Sequence, residues 1–297
     1  MSEVERAIAV LRAGGLVAIP TETVYGLAAD ASNPVAVQRI FAVKARPANH
    51  PLIVHIGTVD QLGQWAATIP PAAAVLAEAC WPGPLTVLVP RARTVLDVVT
   101  GGRSTVGVRV PAHPLTLQLL DRFGGGLAAP SANRFGQVSP TTAAHVRADL
   151  GDDVDFILDG GPCPVGVEST IVDCTVDPPQ VLRPGAISVD EIAALLDMTL
   201  GSDTGPSRAP GMLASHYAPR CQVLLAETLA EAHGFVAANP GAVIIDDEDL
   251  AHYAYSLFSW LREADDRGAE TLIAVLPRAV GLGHAIRDRL TKAAAAR

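Results

Sequence analysis

Short apolar runs alternate with stretches of helical periodicity along this chain, and that alternation constrains the fold more than any other feature. Runs at 16–20, 52–56, 85–90, 103–111, 127–130, 156–161, 167–173 and 180–185 have strand length and break at glycine, proline or small polar residues. Apolar positions at Val4, Ala7, Ile8 and Leu11 mark a helix over 4–12. A second helix runs through Val37, Ile40 and Phe41 into Lys44 from a cap at Ser32 or Asn33. Further helices are predicted at 59–67, 72–80, 115–123 and 187–196, and from a cap at Ser139 or Thr141 through Val146. Residues 201–211 are rich in Gly, Ser and Pro and read as a linker. Beyond them, strands at 222–225, 242–245 and 271–275 alternate with helices at 229–238, 253–267 and 284–296, a small second α/β domain.

The 297 residues suffice for one large or two ordinary domains, and 49% hydrophobic against 18% charged residues permits a sizeable core. Aromatics supply 4%, so Ala, Val, Leu and Ile must build that core. A net charge of −9 argues against a protein that coats nucleic acid or lies on an anionic membrane. The charge is uneven. From Arg39 to Arg109 the acids are Asp60, Glu78 and Asp97, against Arg39, Lys44, Arg46, Arg91, Arg93, Arg103 and Arg109. That pattern fits a small anionic ligand. Cys80, Cys163, Cys174 and Cys221 form no CxxC pair, so reduced thiols are expected and neither zinc site nor disulfide framework is. The first residues are charged and carry no signal-like apolar region, and no run of about 18 apolar residues occurs. A cytoplasmic protein without a membrane span is expected.

Arg46 follows Lys44 by two residues, and Pro47 ends the local helix, placing both cations between a helix end and the strand at 52–56. Such fixed charges suit a phosphate-bearing ligand; a solvated turn is the alternative. In the alternating run 103–111, Val106, Val108 and Val110 take one face, and Thr105, Gly107 and Arg109 the other. No carboxylate lies near Arg109 in sequence, which favours a bound anion over a structural ion pair. Arg183, before Pro184, repeats the chemistry of Arg46. Thr21, Glu22 and Thr23 fall just past the first strand, where α/β sheets bind ligands, although capping threonines in a turn fit the same residues. Ser131 and Asn133 follow a strand and can offer hydroxyl and amide groups to a nucleotide. There is no Walker-type loop, no G-x-G-x-x-G after a strand, no nucleophile elbow and no metal-spaced histidine pair.

Several motifs stand in order. They are Pro20-Thr21-Glu22-Thr23-Val24-Tyr25-Gly26-Leu27, Lys44-Ala45-Arg46-Pro47 with Pro51-Leu52 ending at His55, and Trp81-Pro82-Gly83-Pro84-Leu85-Thr86. Gly107-Val108-Arg109-Val110-Pro111, Ala129-Pro130-Ser131-Ala132-Asn133, Glu168-Ser169-Thr170-Ile171-Val172-Asp173 and Leu182-Arg183-Pro184-Gly185 continue the series. Pro210-Gly211-Met212 and His216-Tyr217-Ala218-Pro219 close it. Together they resemble the YrdC-like family of L-threonylcarbamoyladenylate synthases in its two-domain form, over nearly the whole chain.

The resemblance implies an α/β fold with a large YrdC-like domain, a twisted mixed sheet flanked by helices, over 1–198. A linker over 199–219 would close over the active site, and a small Rossmann-like C-terminal α/β domain would occupy 220–297. It also implies a nucleotidyltransferase that joins L-threonine, bicarbonate and ATP into threonylcarbamoyl-AMP and pyrophosphate. A downstream complex would then pass the threonylcarbamoyl group to the adenosine next to the anticodon of tRNA. By resemblance, Thr23, His55, Arg109 and Ser169, with the backbone near Ala129, hold threonine. Lys44, Arg46, His50, Thr105, Ser131, Asn133, Ser139 and Arg183 surround ATP, and Tyr217 reaches back over it. The family commonly has Asn at the position of His50. Lys44, Arg46 and Arg109 would neutralise charge in the reaction, with Mg²⁺ on the leaving pyrophosphate. Two other readings are weaker. Carbamoyl-adenylate synthesis for hydrogenase maturation would bring zinc-finger cysteines and an acylphosphatase module, and weak RNA binding by a basic face sits poorly with the net charge and few aromatics.

Overall fold

The computed structural model describes residues 1–202, 210–211 and 216–295. Helix α1 (Glu3–Arg12) starts at a reciprocal cap between Ser2 and Glu5 and buries Val4, Ala7, Ile8 and Leu11. Strands β1 (Val17–Ile19) and β2 (Gly26–Asp30) form an antiparallel pair. Asn33 caps α2 (Pro34–Lys44), with proline at its first turn, and the helix ends where Ala45 turns left-handed. After β3 (Ile53–His55) the predicted helix over 59–67 is shorter, a 3₁₀ turn leading into α3 (Leu62–Trp65). Then come α4 (Pro71–Cys80), β4 (Leu85–Pro90), the short α5 (Asp97–Thr100), β5 (Thr105–Arg109), α6 (Pro114–Phe123) and β6 (Leu127–Ala128). The domain finishes with α7 (Ala143–Leu150), β7 (Phe156–Ile157), β8 (Thr170–Asp173), β9 (Gln180–Arg183) and α8 (Val189–Leu196), which Ser188 caps. The cap of α7 is Thr142, in place of the expected Ser139 or Thr141, so Ser139 is free for another partner.

The nine strands make one mixed sheet in the order β7-β1-β2-β6-β3-β5-β4-β8-β9. Alternation divides its side chains between two cores. Ala18, Leu27, Ala29, Val54, Val87 and Val108 pack with Ile40 of α2 and Leu76 of α4. Val17, Ile19, Ala28 and Leu127 pack with α1 and α6. On the central strands, Ile53, Leu88, Ile171 and Leu182 form a separate small cluster. Gly107 belongs to that face, because a β-carbon on it would meet Ile53 and Leu88 at 3.6 Å. Two residues further along each strand, the same face carries His55 and Arg109.

The second domain is a three-stranded parallel sheet, β10 (Gln222–Ala226), β12 (Thr271–Val275) and β11 (Val243–Ile245) in that spatial order. Its helices are α9 (Leu229–Ala238), α10 (Leu250–Asp266) and α11 (Leu282–Ala294). Its core is shared with the first domain. Val24, Val138 and Val167 join Tyr217, Leu257, Phe258, Ile286 and Leu290 in one buried cluster. Arg262 of α10 grips Asp149 of α7 in a fork at 2.8 and 2.6 Å. Of the linker expected over 199–219, residues 203–209 and 212–215 lie outside the described residues. Its described parts touch the first domain: Arg183 donates to the Pro210 carbonyl at 3.2 Å, and the Ala218 N–H to that of Gly136 at 3.0 Å. Among the described residues no helix is long and apolar enough to cross a membrane.

Candidate active site

The parallel register of β3 and β5 makes His55 and Arg109 direct neighbours at the ends of their strands. The turn between β1 and β2 brings Thr21, Glu22 and Thr23 against them. Arg109 donates from Nη1 to Thr23 Oγ1 at 3.0 Å and from Nε to the Gly83 carbonyl at 3.1 Å, and its Nη2 lies 2.6 Å from Glu22 Oε1. The structural ion pair, the less favoured of the two expectations for Arg109, is therefore present. The carboxylate exists but comes from far upstream, and the topology supplies it. The contact is close yet poorly directed, leaving Arg109 Nη2 and Glu22 Oε1 without a hydrogen-bond partner among the described residues. Burial, reinforced by Arg109, drives His55 down to about 3, so its ring is neutral at neutral pH.

Arg46, Arg109 and Arg183 meet at one cavity, which Thr23, His55, Ala129, Ser131, Ser169 and Tyr217 also line. It has a volume of about 50 Å³, well below what a nucleotide site occupies. Arg183 clamps Ser169, donating to its carbonyl from Nε at 3.0 Å and Nη2 at 2.9 Å, and from Nη2 to its hydroxyl at 3.0 Å. Gly185 allows the close packing behind this clamp, since a β-carbon there would lie 2.3 Å from the Thr170 nitrogen. Ser169 Oγ also sits 2.8 Å from Thr86 Oγ1. Arg46 donates to the Pro51 carbonyl at 3.0 Å and lies over the Phe135 ring. Burial lowers Arg46 to about 10 and lowers Arg183 as well. Neither has a carboxylate within ion-pair distance among the described residues, although the charge of Glu168 acts on Arg183.

The remaining predicted residues sit behind the wall or away from it. Lys44 is 1% exposed and donates to the Ser131 carbonyl at 2.6 Å and to the Asn133 carbonyl, bracing the loop after β6. Burial, with Arg46 near it, pushes its ammonium well below the ordinary value. Asn133 is buried in the same loop, accepting the Ser131 hydroxyl at 2.6 Å and donating to the Gln137 carbonyl at 2.7 Å. Ser139 donates to Glu168 Oε1 at 2.5 Å. Thr105 starts β5, four residues from Arg109 and roughly 13 Å along the strand. His50 packs edge-on against Phe135. None of these five lines the cavity.

Residues absent from the predicted set also line it: Thr21, Glu168, Gly211 and His216. Glu168 and His216 stood inside quoted motifs, so the signal was present, but the partners that give them meaning are distant in sequence. His216 stacks on Tyr217 with ring centres 4.2 Å apart. The rings of His50, Phe135, His216, Tyr217 and Phe258 touch in series from the first domain to the second.

Residues 9–185 match the Sua5/YciO/YrdC family model, described as "Telomere recombination". The chain belongs to the Sua5/YciO/YrdC family. Residues 187–295 of this family member match a second model, "Threonylcarbamoyl-AMP synthase, C-terminal domain". The chain is 39% identical to a threonylcarbamoyl-AMP synthase of Pyrococcus abyssi, an alignment covering 95% of this chain and 91% of that one. It is 38% identical to the Bacillus subtilis protein of the same description, covering 99% and 94%. Among solved structures it resembles P. abyssi Sua5 complexed with L-threonine, with a TM-score of 0.93, 38% identity, and 98% and 94% of the two chains covered. The large mixed sheet with a second α/β domain is thus the Sua5 fold.

Proposed function

We infer that this chain is a threonylcarbamoyl-AMP synthase, acting in tRNA threonylcarbamoyladenosine formation. The observation that carries the reading is the convergence of Arg46, Arg109 and Arg183 on one cavity in a chain of this family. Arg109, with Thr23 and Ser169 beside it, is placed to take the α-carboxylate of L-threonine in a fork. The neutral His55 and the backbone at Ala129 bound the same end of the cavity. Arg46 and Arg183 supply positive charge for the phosphates of ATP, with Ser131 at hand. Lys44, Asn133 and Ser139 act one layer back, fixing the loop and the carboxylate that line the cavity.

In the proposed reaction the amine of threonine and bicarbonate give a carbamate with loss of water. A carbamate oxygen then bonds to the α-phosphorus, and the bond from that phosphorus to pyrophosphate breaks. No nucleophile on the protein is required. Catalysis is the holding of two anions in line and the neutralisation of charge on the leaving group. No cluster of three or more His, Cys, Asp or Glu side chains suited to a metal is found among the described residues. The cavity carboxylates Glu22 and Glu168 are engaged by arginines. In this proposal magnesium arrives on the phosphates of the nucleotide, as part of the substrate.

Pyrophosphate release, measured with threonine omitted and then with bicarbonate omitted, tests the proposal. Release that needs both is expected. Release indifferent to threonine would overturn it.

A further inference from the structure

Helix α11 of the second domain carries an arginine to the edge of the first domain's cavity. Arg289 is 0% exposed. Its Nε donates to Glu168 Oε2 at 2.7 Å, its Nη1 to Asp288 Oδ2 at 2.5 Å, and its guanidinium carbon lies 5.1 Å from the centre of the Tyr217 ring. Glu168 and Tyr217 line the cavity, whereas Arg289 does not. We propose that Arg289 is a positioning residue of the active site, which fixes the Glu168 carboxylate and seats the Tyr217 ring, so that the second domain is a working part of the cavity. The proposal rests on the synthase reading above.

A buried ion pair is a poor choice for joining two domains, since apolar residues of similar volume do as well or better. This junction already has them, with Val24, Val138 and Val167 packed against Leu257, Phe258 and Leu290. What an apolar residue cannot do is hold a carboxylate ionised and in one orientation. Burial alone would raise Glu168, but Arg289 and then Arg183 outweigh it and keep the group below the ordinary carboxylate value. The groups facing it are Arg289 with Asp288 behind it, Arg183, the Ser139 hydroxyl, and His216 and Tyr217. Among the described residues each Glu168 oxygen has one donor, Ser139 on Oε1 and Arg289 on Oε2, which leaves lone pairs for a ligand. In a cavity ringed by Arg46, Arg109 and Arg183, this fixed anion gives the amine-bearing end of an amino acid its partner.

The test uses the full chain labelled with carboxyl-¹³C glutamate, the Glu168 signal being assigned by its loss in Glu168→Gln. In Arg289→Gln the Glu168 titration midpoint is expected to rise by about one pH unit or more. The acidic limb of the kcat/KM profile for pyrophosphate release should rise with it, and Arg289→Lys should restore part of both. Arg262→Gln breaks the other cross-domain arginine pair without touching a cavity residue, and sets the baseline for loosened docking. An unmoved Glu168 midpoint in Arg289→Gln, or equal activity losses in Arg262→Gln and Arg289→Gln, would overturn the proposal. If Arg289→Gln does not fold, Glu168→Gln with Arg289→Met leaves no lone buried charge and takes its place. Its activity should then fall below that of Glu168→Gln alone, through the unseated Tyr217 ring, and by more than Arg262→Gln costs on the same background. A double variant as active as Glu168→Gln alone counts against the proposal. A wild type without threonine-dependent release would sink the synthase reading, while the ¹³C titration would still decide whether Arg289 governs Glu168.

Discussion

Nη2 of Arg109 and Oε1 of Glu22 lie 2.6 Å apart at the cavity wall, a charge contact between the end of β5 and the turn that follows β1. The pair holds the guanidinium in place before any ligand arrives, and its poor direction leaves an N–H unspent. Glu22 itself is anchored, since its Oε2 accepts the Ala112 N–H at 3.0 Å. Arg109→Ala should therefore lose both the anion site and a buried partner. We expect kcat/KM for threonine to fall on the order of a hundredfold, about the 3 kcal/mol typical of truncating one side of a buried charge pair. Steady-state pyrophosphate release checks this, and unchanged turnover would remove Arg109 from the site.

Lys44 reaches carbonyls, not the cavity, so its removal should loosen the loop that carries Ser131. Lys44→Met is expected to cost about 1–3 kcal/mol in urea denaturation, because two buried carbonyl groups lose their donor. The KM for ATP should rise while the KM for threonine changes less. A stable variant with unaltered ATP dependence would contradict the bracing role.

Gly211 has φ +82°, and a β-carbon on it would lie 2.6 Å from the Tyr217 hydroxyl and 3.1 Å from Arg183 Cδ. Gly211→Ala should push these two cavity residues aside and lower kcat several-fold. The backbone strain adds about 1–2 kcal/mol. Kinetics with a melting curve separate the two effects; full activity would show that Tyr217 and Arg183 tolerate displacement.

His55 and His216 are both held near a pKa of about 3 by burial. Unfolded, each would titrate near 6.5, so the unfolded chain binds more protons between those values. Stability is then fully present above about 6.5 and falls as the solution is acidified, at about 1.4 kcal/mol per pH unit for each ring. The melting temperature should drop from pH 7 to pH 5, before most carboxylates protonate. Replacing His216 with Gln should reduce that slope. A flat profile over this range would refute the assignment of neutral rings.

Most strands and helices were legible because their apolar spacing is regular. Strand β2 was not, since Gly26-Leu27-Ala28-Ala29-Asp30 is built from small residues with little strand preference. The cap of α7 slipped to Thr142 because neighbouring hydroxyls compete and only the backbone direction chooses among them. The three arginines were visible as charges at strand ends. Glu22 as the counter-ion of Arg109 was not, because the turn after β1 reaches β5 only through the order of the sheet. Arg289 did leave a trace. With Ile286, Leu290 and Ala293 it shares the buried stripe of α11, and a charge in an apolar stripe calls for a buried partner.

The row of rings from His50 through Phe135, His216 and Tyr217 ends on Phe258 of α10, the helix that also bears Trp260. Trp260 stands edge-on to Tyr253 at 5.5 Å. The stack ties the cavity wall at Tyr217 to α10 of the second domain through one packed row of rings. A nucleotide that displaces Tyr217 is expected to disturb Phe258 and with it α10. Tryptophan emission titrated with ATP should then change, and an unaltered spectrum would show the row of rings to be passive.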